Sequence, residues 1–184
     1  MKILIIGSGA REHALTWAIS QNPRCTTIYC SPGNAGTATL ATNVDIDMTS
    51  NDEILEICLE YSIDMVVVGP EKQFEQGLTN TLKEKNILVF GPTKEASQLE
   101  TSKSFTKIMC KHKKIPTGNY EIFSKEGDAR EFLRSQPKPF VIKADGLAAG
   151  KGVLVSSYFE EGNKFISSIF EGKIGTEKNK VIIE

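Results

Sequence analysis

Residues 143–152 read Lys-Ala-Asp-Gly-Leu-Ala-Ala-Gly-Lys-Gly, a lysine that leads into a glycine-rich loop carrying a second lysine. A lysine ending an apolar strand reaches nucleotide phosphates. Gly146, Gly150 and Gly152, with Asp145 and Lys151 between the strands, leave such a loop able to close over the phosphates and exclude water. The spacing is one residue shorter than a Walker A loop, and Gly152 stands where that motif has its magnesium-binding hydroxyl. A different nucleotide-binding architecture is therefore expected, with a plain mobile hairpin as the alternative. Lys103 offers a second phosphate contact, although a solvent-facing lysine is the commoner use of such a position.

A second constellation lies at the N-terminus. Gly7-Ser8-Gly9 follows an apolar run and lets the backbone turn into a helix whose free amides can receive an anion; turn geometry alone is the competing reading. Arg11 can fork onto a phosphate, and Glu12 benefits from the positive helix end. His13 taken alone reads better as part of a capped surface turn than as a base. A dinucleotide fingerprint would need a third glycine where Glu12 stands and an acidic residue near Tyr29, Cys30 and Ser31, so NAD is disfavoured. Glu71, directly after an apolar strand, is placed to bond a substrate amine or hydroxyl, or else is a rim carboxylate. His112 reads as packing or as a charge at a helix end. No nucleophilic triad, glycosidase carboxylate pair or metal-ligand set can be assigned. ATP-dependent activation of a substrate remains, across a cleft between two domains.

These residues must be held by regular elements. Strands are expected over 2–6, 27–30, 44–46, 65–68 and 87–90. Between them lie a helix with Ala14, Leu15, Ala18 and Ile19 on one face, a helix over 52–60 with Ile54, Leu55, Cys58 and Leu59 inward, and one marked by Phe74, Leu78 and Leu82. Alternation of this kind predicts a parallel, Rossmann-like α/β domain over 1–100. A bridging helix over 102–112, within a linker of 101–115, leads to a smaller α+β piece over 116–184. That piece has strands at 120–123, 140–143, 153–155 and 180–183 and helices at 126–134 and 159–170. The final strand has no following segment to pair or cover it, as expected of part of a larger protein.

Composition sets the outer bounds. The 184 residues carry 22 basic and 23 acidic side chains and are 40% hydrophobic, which suits one or two globular units and excludes disorder. A net charge of -1 supplies no bulk field for nucleic acid. No apolar stretch approaches the roughly 18 residues of a membrane span, and Cys25, Cys30, Cys58 and Cys110 form no C-x-x-C pair. Reduced core thiols and a cytoplasmic location are expected.

Six blocks in order resemble the N-terminal part of the phosphoribosylamine-glycine ligase (glycinamide ribonucleotide synthetase) family of de novo purine synthesis. They are residues 7–13 (Gly-Ser-Gly-Ala-Arg-Glu-His), 31–37 (Ser-Pro-Gly-Asn-Ala-Gly-Thr), 68–71 (Val-Gly-Pro-Glu), 90–93 (Phe-Gly-Pro-Thr), 99–105 (Leu-Glu-Thr-Ser-Lys-Ser-Phe) and 141–153 (Val-Ile-Lys-Ala-Asp-Gly-Leu-Ala-Ala-Gly-Lys-Gly-Val). The resemblance implies an ATP-grasp ligase joining glycine to 5-phosphoribosylamine through glycyl phosphate, with ATP and Mg2+ (or Mn2+). It implies that Gly9, Arg11, Glu12, His13, Pro32, Gly33, Asn34, Gly69, Pro70 and Glu71 surround the phosphoribosylamine, and that Lys103, Lys143, Asp145, Gly146, Gly150, Lys151 and Gly152 serve ATP. No catalytic residue and no metal ligand is assigned in this chain.

Ala10 stands where the family commonly has glycine, and Lys72-Gln73-Phe74 replaces an Ala-Pro-Leu type sequence, altering the expected rim of the substrate site. The family is more than twice this long, so the ATP-grasp domain is expected to be incomplete, with metal carboxylates and adenine hinge beyond Glu184. Little or no ligase activity is expected of this chain alone. Another purine-pathway ATP-grasp enzyme, or a non-catalytic phosphate- or nucleotide-binding fragment, is the alternative.

Overall fold

The first strand, β1 (Lys2–Gly7), alternates its side chains between two cores. Leu4 and Ile6 join Val66, Val68, Ile54, Cys58, Leu78 and Leu82 on one side, while Ile3 and Ile5 join Ile28, Cys30 and Val67 on the other. A strand apolar on both faces needs helices on both, and the computed structural model has that arrangement. It describes residues 1–175 and 180–184, divided into two compact units, Met1–Ser97 and Gln98–Glu184.

In the first unit β1 is followed by α1 (Ala10–Ser20), β2 (Thr27–Pro32), β3 (Thr42–Asn43), α2 (Asn51–Glu60), β4 (Met65–Val68), α3 (Glu71–Glu75), α4 (Leu78–Glu84) and β5 (Leu88–Phe90). The sheet order is β3-β2-β1-β4-β5, parallel throughout. Leu15 and Ile19 of α1 pack on one face; α2 and α4 cover the other. Ser50 caps α2 by accepting from the Glu53 N–H at 3.2 Å.

Four expectations change here. Ala14 and Ala18 are exposed, and the buried positions of α1 are the polar Glu12 and Thr16. Leu59 is likewise 61% exposed. The third strand is Thr42–Asn43 rather than 44–46: the Val44 N–H makes the last bond to β2, at 2.8 Å to Cys30 O, and Val44 and Ile46 pack into the core beside the sheet. The expected single helix through Phe74, Leu78 and Leu82 is two, broken at Gly77, whose φ of +83° ends one helix and opens the next.

A helix absent from the sequence reading, α5 (Lys94–Thr101), spans the boundary between the units. The second unit continues with α6 (Lys103–Lys113), β6 (Glu121–Phe123), α7 (Glu126–Arg134), β7 (Phe140–Ala144), β8 (Val153–Ser156), α8 (Phe159–Phe170) and β9 (Val181–Ile183). The helix expected as a bridge is thus the first whole helix of this unit. Its sheet is antiparallel in the order β6-β9-β7-β8. Phe140, Ile142 and Ala144 alternate toward α7 and α8, meeting Leu133, Ile166 and Ile169. The last strand, for which no later segment was expected as a partner, takes both its partners from earlier in the chain: β9 lies between β6 and β7 with all three residues fully buried.

Candidate functional site

In the first unit β2 and β4 flank β1 on opposite sides, so the chain reverses its winding between β1 and β4. The C-terminal ends of such strands open a crevice where ligands of α/β sheets gather. Gly7 and Gly9 arrive from β1, Pro32 to Asn34 from β2, and Gly69 to Glu71 from β4.

Glu12 organises this edge from beneath. Its side chain is 5% exposed, and its Oε2 accepts the Gly9 N–H at 2.6 Å. The carboxyl fills the space left by two missing side chains: a Cβ at Gly7 would lie 2.6 Å from Glu12 Cδ, and one at Gly69 would overlap Oε1. Asn34 ties β2 to the same turn, its Nδ2 donating to Ser8 O at 2.9 Å and Gly9 O at 3.2 Å. Its Oδ1 accepts from the Gly36 and Thr37 N–H groups at 2.7 and 3.0 Å. Glu12 and Asn34, two of the residues expected around the substrate, have their side chains engaged with backbone. Asn43 was not foreseen; its amide joins Thr37 Oγ1 at 2.8 Å and Asn34 O at 2.9 Å, a partnership with no sequence signal beyond residue type.

Arg11 and Glu71 face outward. The guanidinium Nη1 donates to Gly69 O at 3.0 Å and to Glu71 Oε1 at 3.1 Å, with side chains 62% and 38% exposed. The Glu71 carboxyl is held below its usual range, first by its own backbone N–H at the start of α3; partial burial opposes this and Arg11 reinforces it. His13 lies against Gly36, where a Cβ would come within 2.6 Å of its ring. Pro70 is the extended residue before α3, and Pro32 follows a cis peptide and pairs with Gly7. An exposed arginine and carboxylate above a backbone-rich crevice suit an anionic, hydroxyl- or amine-bearing ligand.

The second unit gathers its own set. Lys143, on β7, donates to Glu184 Oε2 at 2.8 Å, and Lys107 of α6 meets Glu184 Oε1 at 2.7 Å. Burial would raise the Glu184 carboxyl, but the two lysines hold it below its ordinary value. Lys103 donates to Gly146 O at 2.8 Å. Its ammonium is easier to deprotonate than usual, chiefly from burial; Asp145 and Glu100 oppose this, and the Lys143 charge adds to it, placing the two lysines in one field. Lys107 was not singled out by sequence, and Glu184 was read only as the approach to an adenine hinge, since their pairing joins α6 to a residue 77 positions on.

Asp145 is fully buried and accepts from Ser104 N at 3.1 Å, Gly146 N at 3.0 Å, Ser102 Oγ at 3.3 Å and Ser104 Oγ. Lys180 Nζ is 3.6 Å away. Beyond it the β7–β8 loop has positive φ at Gly146 (79°), Ala149 (46°) and Gly150 (78°). Lys151 is exposed and its N–H closes the turn onto Ala148 O at 2.9 Å; Gly152 packs under Ala148. Lysines beside a backbone loop of this kind suit a polyphosphate. A divalent metal fits less well: among the described residues no three His, Cys, Asp or Glu side chains form a group able to hold an ion, and Asp145 and Glu184 are already engaged. No helix among the described residues is long and apolar enough to cross a membrane.

Comparison with known proteins adds to this geometry. The family profile described as "Phosphoribosylglycinamide synthetase, N domain" matches residues 1–100, and "Phosphoribosylglycinamide synthetase, ATP-grasp (A) domain" matches residues 101–184. A phosphoribosylamine-glycine ligase of Agrobacterium fabrum is 46% identical over 184 residues, covering 100% of this chain and 44% of that protein. The crystal structure of the phosphoribosylamine-glycine ligase of Thermotoga maritima superposes with a TM-score of 0.80 at 34% identity, over 100% of this chain and 43% of that one. The biotin carboxylase domain of Hydrogenobacter thermophilus 2-oxoglutarate carboxylase shares the fold, with a TM-score of 0.73 at 16% identity over 100% of this chain and 43% of that one. The chain thus spans less than half the length of these relatives.

Proposed function

The chain belongs to the phosphoribosylglycinamide synthetase family, and from that premise we propose that it forms the first two modules of a cytoplasmic ATP-dependent ligase joining glycine to 5-phosphoribosylamine. The observation that carries this reading is the unbroken succession of the two family matches, N domain then ATP-grasp domain, across residues 1–184.

On this reading the first unit, about residues 1–100, takes the phosphoribosylamine. Arg11 turns its guanidinium from Glu71 to the 5-phosphate, and Glu71 accepts from the ribose hydroxyls or the amine. Backbone groups of Gly9, Gly33, Gly69 and Pro70 line the crevice, His13 and Pro32 shape it, and Glu12 and Asn34 hold the two loops. Residues 116–184, with 101–115 leading into them, form the first part of an ATP-grasp domain. Lys103 and Lys143 meet the phosphates, while Gly146, Gly150, Lys151 and Gly152 close over them.

ATP supplies the γ-phosphoryl group that turns the glycine carboxylate into an acyl phosphate and leaves ADP; the ribosylamine nitrogen then forms the amide and expels phosphate. Loop closure protects the acyl phosphate from water. Magnesium or manganese would neutralise the phosphates and the developing acyl phosphate, and no residue of this chain is assigned to hold the ion.

The test appends to this chain the segment of the Agrobacterium relative that follows the matched region. ADP formation requiring both glycine and phosphoribosylamine is expected from the chimera and not from residues 1–184 alone. ADP formation driven by bicarbonate, or by a different amine, would replace this reading with another ATP-grasp activity.

A further inference from the structure

We propose that Asp145 is a positioning residue, which clamps the base of the glycine loop to the start of α6 and makes no contact with the nucleotide. The assignment rests on the phosphate-binding reading of that loop and deepens it.

A carboxylate offers about four lone-pair sites. Asp145 Oδ1 takes Ser104 N at 3.1 Å and Gly146 N at 3.0 Å, Oδ2 takes Ser104 Oγ, and Ser102 Oγ lies 3.3 Å from both oxygens. With Lys180 Nζ at 3.6 Å from Oδ2 and no exposed surface, the group has neither capacity nor access for a ligand. Direct contact with a phosphate would also set two anions together. The same charge directed at the Ser104 N–H at the start of α6 is instead favourable, in the sense of the helix dipole.

The clamp acts on two functional parts together. Ser102 and Ser104 flank Lys103, whose ammonium donates to Gly146 O at 2.8 Å. Gly146 is thereby held at both its N–H, by Asp145, and its C=O, by Lys103, in a left-handed conformation with φ of 79°. Four residues on, Gly150 has no atom within 4 Å of the place its Cβ would occupy. The loop therefore has a fixed base at Gly146 and an unobstructed tip at Gly150, and Asp145 determines where Lys103 stands relative to both.

The 184-residue chain provides the test by amide hydrogen exchange, and the chimera with the Agrobacterium segment by titration with ATP in the presence of magnesium. In Asp145→Asn, exchange at Gly146 and Ser104, whose N–H groups donate to the carboxylate, is expected to accelerate at least tenfold while Ile142 and Ile183 in the sheet keep their protection; ATP affinity falls about tenfold. Ser102→Ala, which leaves the buried carboxylate its other partners, should move the same amides in the same direction by a smaller factor, and serves if the Asn variant does not fold. Unchanged exchange at Gly146 and Ser104 in a folded variant overturns the proposal, as does loss of ATP binding with those amides undisturbed. Should the chimera with unmodified Asp145 fail to bind ATP, the nucleotide reading falls, while the exchange data still decide whether Asp145 is the clamp.

Discussion

Glu12 and Gly69 occupy one space. The Glu12 carboxyl stands where a side chain at position 69 would begin, so the end of β4 can approach α1 only because residue 69 has no Cβ. That closeness lets Arg11, one residue earlier on α1, reach Gly69 O and Glu71 together.

Gly69→Ala is therefore expected to expel Glu12 from its seat and destabilise the first unit by about 2 kcal/mol or more, the scale of overpacking combined with a displaced buried polar group. Denaturant unfolding of the variant measures it. Because Gly9 N–H loses its acceptor, its amide should exchange faster in the same protein.

Arg11→Ala separates binding from stability. Its ion pair with Glu71 joins two well-exposed side chains at 3.1 Å, so removing it should shift stability by less than about 1 kcal/mol. Ribose 5-phosphate, a stable probe for the proposed substrate, should bind at least tenfold more weakly. Equal affinity of both proteins by calorimetric titration would remove Arg11 from the phosphate site.

Acid should weaken the second unit through two carboxylates. Burial alone would raise Asp145, but Ser104, the Gly146 N–H and Lys180 hold it below its usual value; Lys107 and Lys143 do the same for Glu184. For a group depressed in the folded state, the unfolded chain binds protons first as pH falls. The stabilisation is complete above the unfolded values, about 3.9 for Asp and 4.3 for Glu, and is lost as pH drops through the lower folded ones. Thermal midpoints between pH 6 and 3 should fall, and Asp145→Asn should flatten the slope.

The thiols should divide into two pairs. Burial pushes Cys58 up to about 12 and raises Cys30, whereas Cys25 and Cys110 are only half-buried. An aromatic disulfide reagent at pH 8 should modify Cys25 and Cys110 in the native protein and reach the other pair only on unfolding. Peptide mapping after a timed reaction identifies which residues react.

Local pattern sufficed wherever an element's own residues determine its environment. The apolar run Met65–Val68 and the helices Glu126–Arg134 and Phe159–Phe170 fall where their periodicity places them. The parallel sheet of the first unit follows from the alternation of strands and helices, and the glycine-rich segment reads as a loop because branched residues are excluded from its turns. Residue types also marked both candidate sites: Arg11 and Glu71 in one unit, Lys103 and Lys143 in the other.

Tertiary structure alone decided what those residues do with their charge. Periodicity set Ala14 and Ala18 inside α1, yet Glu12 and Thr16 are buried there, because the glycines at 7 and 69 open a polar seat that hydrophobicity cannot report. The last strand is a central one, since β6 and β7 close on it from earlier in the chain. Asp145 reads as a loop residue, but its partners at Ser104 are 41 positions away. A buried carboxylate is tolerated only where folding delivers enough donors to replace its water, and that delivery depends on pairings between distant segments that neither residue type nor spacing encodes.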